Sequence, residues 1–320
     1  MKLSVIICTR NRPDKIGVCL KSILVNTFSD FEIIVVDQSD NDKTERIIKQ
    51  IDFRIRYFKI QGTGLSRARN LGIQKSQGEI IAFTDDDCIV TKNWLANIYL
   101  SFEKNKGITA VFGRVLPDNP KGHSGLRCGS HTKFRKEKIF TAPRKYKRFI
   151  FLGNAMSIRR SIFDKIGFFK EWLGVGSIGM ATEDEEIIYR LLKNGGKVLL
   201  NPKVVVYHNN WLTEKELHRL MVRYSGGFFA AFGYYALQGD KIAKGYLTIF
   251  LRKRLKKWTQ EIKFSLNNFH PKYLLRFLLT EISFELGYYL RGVLIAFYFA
   301  IKANFGNRGE KSASLFSFSN

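Results

Sequence analysis

Acidic residues are scarce in this chain. There are 28 Asp plus Glu against 53 Lys plus Arg, a net charge of +25 over 320 residues, so the partners to expect are polyanions: nucleic acid, anionic lipid or phosphorylated substrates. Cysteine is also scarce. Cys8, Cys19, Cys88 and Cys128 are scattered without a CxxC pair, two of them in apolar contexts, a pattern that predicts reduced thiols in a cytosolic compartment. The opening apolar run, Leu3–Cys8, is short and is followed by Arg10, Asn11 and Arg12, so no secretory leader is expected. Near the other end, Val293–Ile301 between Arg291 and Lys302 falls short of the roughly 18–20 residues that span a bilayer, and predicts an interfacial or core segment. No GxGxxG follows the first strand, there is no Walker loop, and no internal repeat is present. Apolar residues make up 45% of the chain, ample for a core.

What is there alternates. LSVIIC (Leu3–Cys8), EIIVVD (Glu32–Asp37), RIRYFK (Arg54–Lys59), EIIAFT (Glu79–Thr84) and TAVFGRV (Thr109–Val115) read as strands. Pro13–Asn26, Asp42–Gln50, Leu65–Ser76 and Trp94–Lys104 read as the helices between them. That order predicts βαβ units, a mostly parallel sheet, and functional groups just past the C-terminal strand ends. Three polar clusters lie there: Thr9–Arg12, Asp37–Asp42 and Asp85–Asp87. Residues 121–150 hold ten Lys or Arg against Glu137 and read as a mobile basic loop. A helix from about Glu183 to Asn194 and a last strand, Lys203–Tyr207, follow. From about Leu212 the composition turns to aromatic, Leu, Lys and Arg without strand signals. The domains expected are therefore 1–211, a basic helical region 212–306 and a flexible tail 307–320.

Asp85, Asp86 and Asp87 end a strongly apolar strand. Three adjacent carboxylates repel one another, which suits either a divalent cation bridging to a diphosphate or a surface acidic cap. Asp37 at its strand end suits a nucleoside contact or a capping turn with Asp40, Asn41 and Asp42. GTGLSRARNLG (Gly62–Gly72) sets Arg67 and Arg69 at a helix start, where phosphate is favoured. Glu183-Asp184-Glu185-Glu186 opens a helix, with Glu185 and Glu186 read as dipole capping; His208 ends a strand and by itself suits a structural role.

Taken in order, SVIICTRNRPDKIGVCLKSI, EIIVVDQSD, GLSRARNLGI with GEIIAFTDDD, GNAMSIRRSIFDKIGFF, EDEEIIYRLLKNGGKV and VVVYH resemble the family-2 glycosyltransferases, from Leu3 to about Trp211. The resemblance implies a Rossmann-like A-type glycosyltransferase fold, an α/β domain, here with a C-terminal helical region. It implies inverting transfer of a sugar from a nucleotide-diphosphate donor to a hydroxyl acceptor, a glycan or lipid-linked glycan, with Mg²⁺ or Mn²⁺ as cofactor. Thr9 and Asp37 match positions that hold the nucleoside, and Arg69 lies near the donor. Asp85 matches the ribose and diphosphate side of the acidic motif, with Asp86 beside it; Asp87 and His208 match metal ligands, and Asp184 the general base. The sequence departs from the pattern at Gln38, where a second Asp is common, and at Lys170, where Asp is frequent after Phe169.

YLTIFLRKRLKKW (Tyr246–Trp258) sets Leu247, Leu251, Leu255 and Trp258 on one helical face and Arg252, Lys253, Arg254, Lys256 and Lys257 around the other. This predicts an interfacial helix on an anionic membrane, peripheral on the cytoplasmic face. Two other functions compete. A sugar-phosphate nucleotidyltransferase would carry a Gly-rich basic loop after the first strand, and TRNRPDK has no glycine. A basic nucleic-acid-binding protein fits +25 but not acidic clusters at the functional edge of the sheet, so no nucleic acid is expected as partner. An inactive scaffold of the same fold does not fit the intact Asp85, Asp87, Asp184 and His208.

Overall fold

The computed structural model describes residues 1–143, 151–268 and 271–314. Its first strand, β1 (Leu3–Thr9), shows how the sequence builds the sheet. Leu3, Val5 and Ile7 enter one apolar cluster and Ile6 the other, all at most 1% exposed, so helices must cover both faces. A buried side chain of this size contributes roughly 1.5–3 kcal/mol. On one face lie α1 (Pro13–Leu24), α2 (Lys43–Ile51) and α4 (Trp94–Lys104), through residues such as Leu20, Ile48 and Trp94. On the other lie α3 (Leu65–Lys75) and α6 (Glu183–Lys193), through Ala68, Ile73, Ile187 and Leu191. Gly72 of α3 is required by this packing, because a Cβ there would come within 2.5 Å of Ile6 Cγ2.

β1 pairs in parallel with β2 (Phe31–Asp37) and β4 (Ile80–Asp85), and β2 with β3 (Arg56–Lys59). The register sets Thr9 beside Asp37 and Cys8 beside Asp85, so the C-terminal ends that carry the polar clusters are level. The remaining strands are β5 (Cys88–Val90), β6 (Ala110–Pro117), β7 (Arg127–Cys128), β8 (Lys138–Phe140), β9 (Met156–Arg159), β10 (Val198–His208) and β11 (Trp211–Leu212). The sheet order is β3-β2-β1-β4-β9-β6-β10-β5, with β8 also on β10 and β9 antiparallel between β4 and β6. A short helix, α5 (Ile162–Ile166), follows β9. The fold is the α/β architecture expected.

Two expectations change. Residues 121–150 are not a loop throughout: β7 pairs with β11 and β8 with β10, because backbone groups there find strand partners far along the chain. The rest of that segment, 144–150 with Arg144, Lys145, Lys147 and Arg148, lies outside the described residues. The last long strand begins at Val198 and not Lys203, with an irregularity between Leu200 and Val205 where its register against β6 shifts.

The chain divides into two compact units, one of Met1–Ser177 with Glu183–Leu220, the other of Ile178–Thr182 with Met221 onward. The second is helical: α7 (Glu214–Leu237) enters it, followed by α8 (Lys241–Asn267), α9 (Pro271–Arg276), a π-helical turn, Phe277–Ile282, and α10 (Ser283–Ser314). Asp240 caps α8 by accepting from the Ile242 and Ala243 amides. Phe228 and Phe229 of α7 pack on Phe250 of α8, and Phe229 on Tyr289 of α10. Gly226 and Gly292 let α7 and α10 approach closely. The segment expected as a flexible tail from 307 is helical as far as Ser314, and 315–320 lie outside the described residues. The apolar stretch judged too short to span is longer as a helix: Phe277–Ala303 is long and apolar enough to cross a membrane by length and composition, so length does not exclude it.

Candidate active site

The turns after β1 and β2 hold each other. Asn11, at φ 55°, donates from its side chain to Asp40 and accepts the Asp40 amide, while its own amide donates to Ser39 Oγ. A left-handed residue is needed there to reverse the chain, and Asn tolerates it. The turn aims Arg12 across the sheet end. Its Nη1 lies 3.0 Å from both Asp86 Oδ1 and Asp87 Oδ2. Thr9 Oγ1 donates to the other Asp86 oxygen at 2.7 Å. The sequence marked Thr9–Arg12 as a polar cluster but gave Arg12 no role; only the fold shows that it answers the acidic motif.

Register and one further backbone bond, from the Asn209 amide to the Asp87 carbonyl, bring His208 level with the acidic motif. In the antiparallel pair of β5 and β10, Cys88 stands opposite His208, which places both side chains on one face of the sheet. His208 Nε2 is 3.3 Å from Asp87 Oδ1, and Nδ1 is 3.0 Å from Ser130 Oγ and 3.7 Å from Cys128 Sγ. Burial would lower the histidine's pKa, but the bond to Asp87, with help from Cys128, carries it up to about 10. Asp87 moves down: burial opposes this, and the imidazole and Arg12 outweigh it. Asp86, with less compensation for its burial, is pushed up to about 6.

Donor atoms of Asp85, Asp87, Cys88 and His208 all lie within 4.8 Å of one another. Two carboxylates and an imidazole at that spacing fit a divalent ion such as Mn²⁺ or Mg²⁺. Asp85, 36% exposed at its side chain, is the member open to a ligand, while Asp86 and Asp87 are buried.

Arg69 points inward. Its guanidinium lies against the edge-to-face pair of Phe83 and Phe169, 5.7 and 5.6 Å from their ring centres, with Nη1 3.0 Å from Glu183 Oε1 and Nη2 3.6 Å from Asp85 Oδ1. Gly153 lies against it; a Cβ there would meet Nη2 at 2.8 Å. The neighbouring Arg67 turns to the Gln61 carbonyl. Asn70 fixes the next segment, donating to the Phe169 carbonyl and accepting the Phe169 amide. Ser66 and Leu65 bond the carbonyls of Leu173 and Val175.

Asp184 is half-buried and oriented by the backbone. Oδ2 accepts the Gly153 amide at 2.9 Å and Oδ1 the Glu185 amide at 2.8 Å. Burial raises its pKa against these bonds and Arg69; Glu183, buried beside Asp184, is pushed up to about 7. Glu186 pairs with Arg190 one turn on. Asp37 is fully buried, accepting from the Ser39 amide and the Tyr57 hydroxyl, each through one oxygen. The structure thus gathers Thr9, Asp85, Asp86, Asp87 and His208, joins Asp85 through Arg69 to the start of α6, and sets Asp37 one strand away.

The family described as Glycosyl transferase family 2 matches residues 4–167. A GalNAc(5)-diNAcBac-PP-undecaprenol beta-1,3-glucosyltransferase of Campylobacter jejuni is 30% identical over 183 residues, covering 54% of this chain and 56% of that protein. The chain therefore spans little more than half of that relative. A mannosyltransferase from Pyrobaculum calidifontis, solved with GDP-Man and Mn²⁺, superposes with a TM-score of 0.60 at 18% identity, covering 97% of this chain and 88% of that one. S. aureus TarS 1–349 with UDP-GlcNAc superposes at 0.52 and 19% identity, covering 72% and 67%. These structures share the fold.

Proposed function

The chain belongs to glycosyl transferase family 2, and from that membership we propose that it moves a sugar from a nucleotide-diphosphate donor to a hydroxyl acceptor with inversion, at the cytoplasmic surface of a membrane. The observation that carries this reading is the bridge made by Arg69. One guanidinium lies 3.6 Å from Asp85, in the cluster of metal-suited donors, and 3.0 Å from Glu183, the neighbour of Asp184.

Asp85, Asp87 and His208 would hold Mg²⁺ or Mn²⁺, and Thr9, Asp37 and Asp86 shape the nucleoside side of the site. When bound, the ion neutralises charge on the diphosphate as it leaves. Asp184 takes the proton of the acceptor hydroxyl. The Gly153 and Glu185 amides fix the orientation of its carboxylate, and its raised pKa brings it nearer to neutral pH, where a base works best. Arg69 keeps Glu183 paired, so that Asp184 is the acid at the helix start left to the substrate. One base and one in-line displacement invert the anomeric carbon. A lipid-linked glycan is the proposed acceptor, in keeping with a relative named for an undecaprenol-carried glycan and with the basic, apolar helices of the second unit.

A panel of UDP-, GDP- and other nucleotide-sugars, screened for thermal stabilisation with Mn²⁺, Mg²⁺ or chelator, tests the reading. A metal-dependent rise in melting temperature is expected for at least one donor, with donor hydrolysis by the purified protein. No stabilisation and no hydrolysis by any donor would overturn it.

A further inference from the structure

We infer that the apolar stretch Phe277–Ala303 lies in the plane of one leaflet, as part of a monotopic membrane surface, and does not cross the bilayer. The inference rests on the membrane-surface reading above and adds its topology.

α10 exposes a stripe of apolar side chains, Leu286, Leu290, Val293, Leu294, Phe297 and Ile301, at helical spacing. Exposure of this extent asks for an apolar partner. By length the stretch suits a span; what lies against its middle does not.

Glu285 is 1% exposed. It pairs with Arg254 of α8 and accepts from Trp258 Nε1 and from the Tyr289 hydroxyl, each at 3.1 Å. Phe250 and Trp258 of α8 meet the Tyr289 ring at 5.7 and 6.4 Å between centroids. Arg254, which the sequence placed on the basic face of α8, is thus turned inward as the anchor between helices. These contacts lay residues 250–258 of α8 beside residues 285–289, within about 8 Å along the axis of the midpoint of Phe277–Ala303.

Arg252, Lys253, Lys256 and Lys257 fall in that same part of α8, and all four are exposed. Were the stretch to span, they would be carried to the middle of a hydrocarbon core about 30 Å thick, beyond the reach of side chains that bend toward the headgroups. Cations are among the costliest residues at that depth. Spanning would otherwise require parting Glu285 from Arg254 and leaving both in lipid. Lying in the plane removes the conflict: the cations sit at headgroup depth against anionic phosphates, and the stripe dips into the acyl boundary.

The test uses the full chain with a single added cysteine at either end of the stretch, Lys272→Cys or Lys302→Cys, both exposed positions. A membrane-impermeant maleimide is applied to inside-out vesicles and to spheroplasts of expressing cells, with the unsubstituted chain as blank for its own four cysteines. Equal labelling of both positions in inside-out vesicles, and of neither in spheroplasts, is expected. Labelling of one position only from the opposite face would establish a span and overturn the inference while leaving the membrane reading intact. A chain that stays in the soluble fraction, alone or as a dimer, would overturn both.

Discussion

Arg69 Nη1 and Glu183 Oε1 lie 3.0 Å apart, and both side chains are buried. The pair joins α3 to α6 across the floor of the site, where neither charge has water to fall back on. Arg69→Met should therefore destabilise the chain by about 1–3 kcal/mol, since it leaves the buried Glu183 carboxyl without its partner and makes it take up a proton. Arg69→Met with Glu183→Gln should recover part of that loss. Urea unfolding of the two single variants and the double variant measures the coupling; strictly additive losses would show that the pair does not act as one.

Asp184→Asn keeps size and shape but cannot accept a proton. Transfer should fall by about two to four powers of ten, while donor binding stays near wild type. Glu183→Gln serves as the comparison, with circular dichroism to confirm folding. If Asp184→Asn turned over normally and Glu183→Gln did not, the base would be Glu183.

Asp87→Ala should abolish the metal dependence of nucleotide affinity, as a chelator would. Calorimetry with and without Mn²⁺ reads this directly. Equal affinity in wild type under both conditions would remove the metal from the reaction.

Ser130 holds Nδ1 of His208 at 3.0 Å, on the side of the ring away from Asp87. Groups that orient a ligand from behind typically change metal affinity about 10–100-fold. Ser130→Ala should weaken Mn²⁺ binding within that range and leave the urea midpoint of the metal-free chain nearly unchanged. An unaltered Mn²⁺ titration would show that the ring is held by packing alone.

Glu32 gives a dependence on pH. It accepts from Ser4 Oγ and the Gln77 amide, each at 2.6 Å, and pairs with Arg56. Burial would raise its pKa, but these partners together hold it below the ordinary 4.5. Because the folded value is the lower one, its contribution is complete above the unfolded pKa and is lost as pH falls through the folded value. Glu32→Gln should cost about 1–3 kcal/mol at pH 7 and much less near pH 3. Urea midpoints of both proteins at the two pH values check this; a gap that did not shrink would assign the effect to shape and not charge.

The parts of the fold legible in the sequence are those whose signal is local. β1, β2 and β4 are apolar runs ending in polar residues, and α1 to α3 lie between them with their own periodicity. β5, β7, β8, β9 and β11 have two to four residues each, too few for a period to show; they are strands because distant segments accept their hydrogen bonds. The site divides in the same way. Asp85–Asp87 announce themselves by adjacency. Nothing near Ser130 in the chain points to His208, 78 residues away, and Arg12 gains its meaning only when the turns after β1 and β2 lock. Arg69, marked for phosphate by its place at a helix start, turned inward because Glu183 and Asp85 came to meet it.

The position of β9 between β4 and β6 sets the order in which this protein can be made. As the nascent chain leaves the ribosome, β1 to β4 can pair as soon as Asp85 is out, whereas β6 has no neighbour in the sheet until Met156–Arg159 has been synthesised. Asp85–Asp87 are therefore synthesised before Glu183 and His208, the groups that meet them in the finished fold. Arg12, the partner of Asp86 and Asp87, and Arg69, the partner of Asp85, both belong to the early half, so the cluster's cations are made before its histidine.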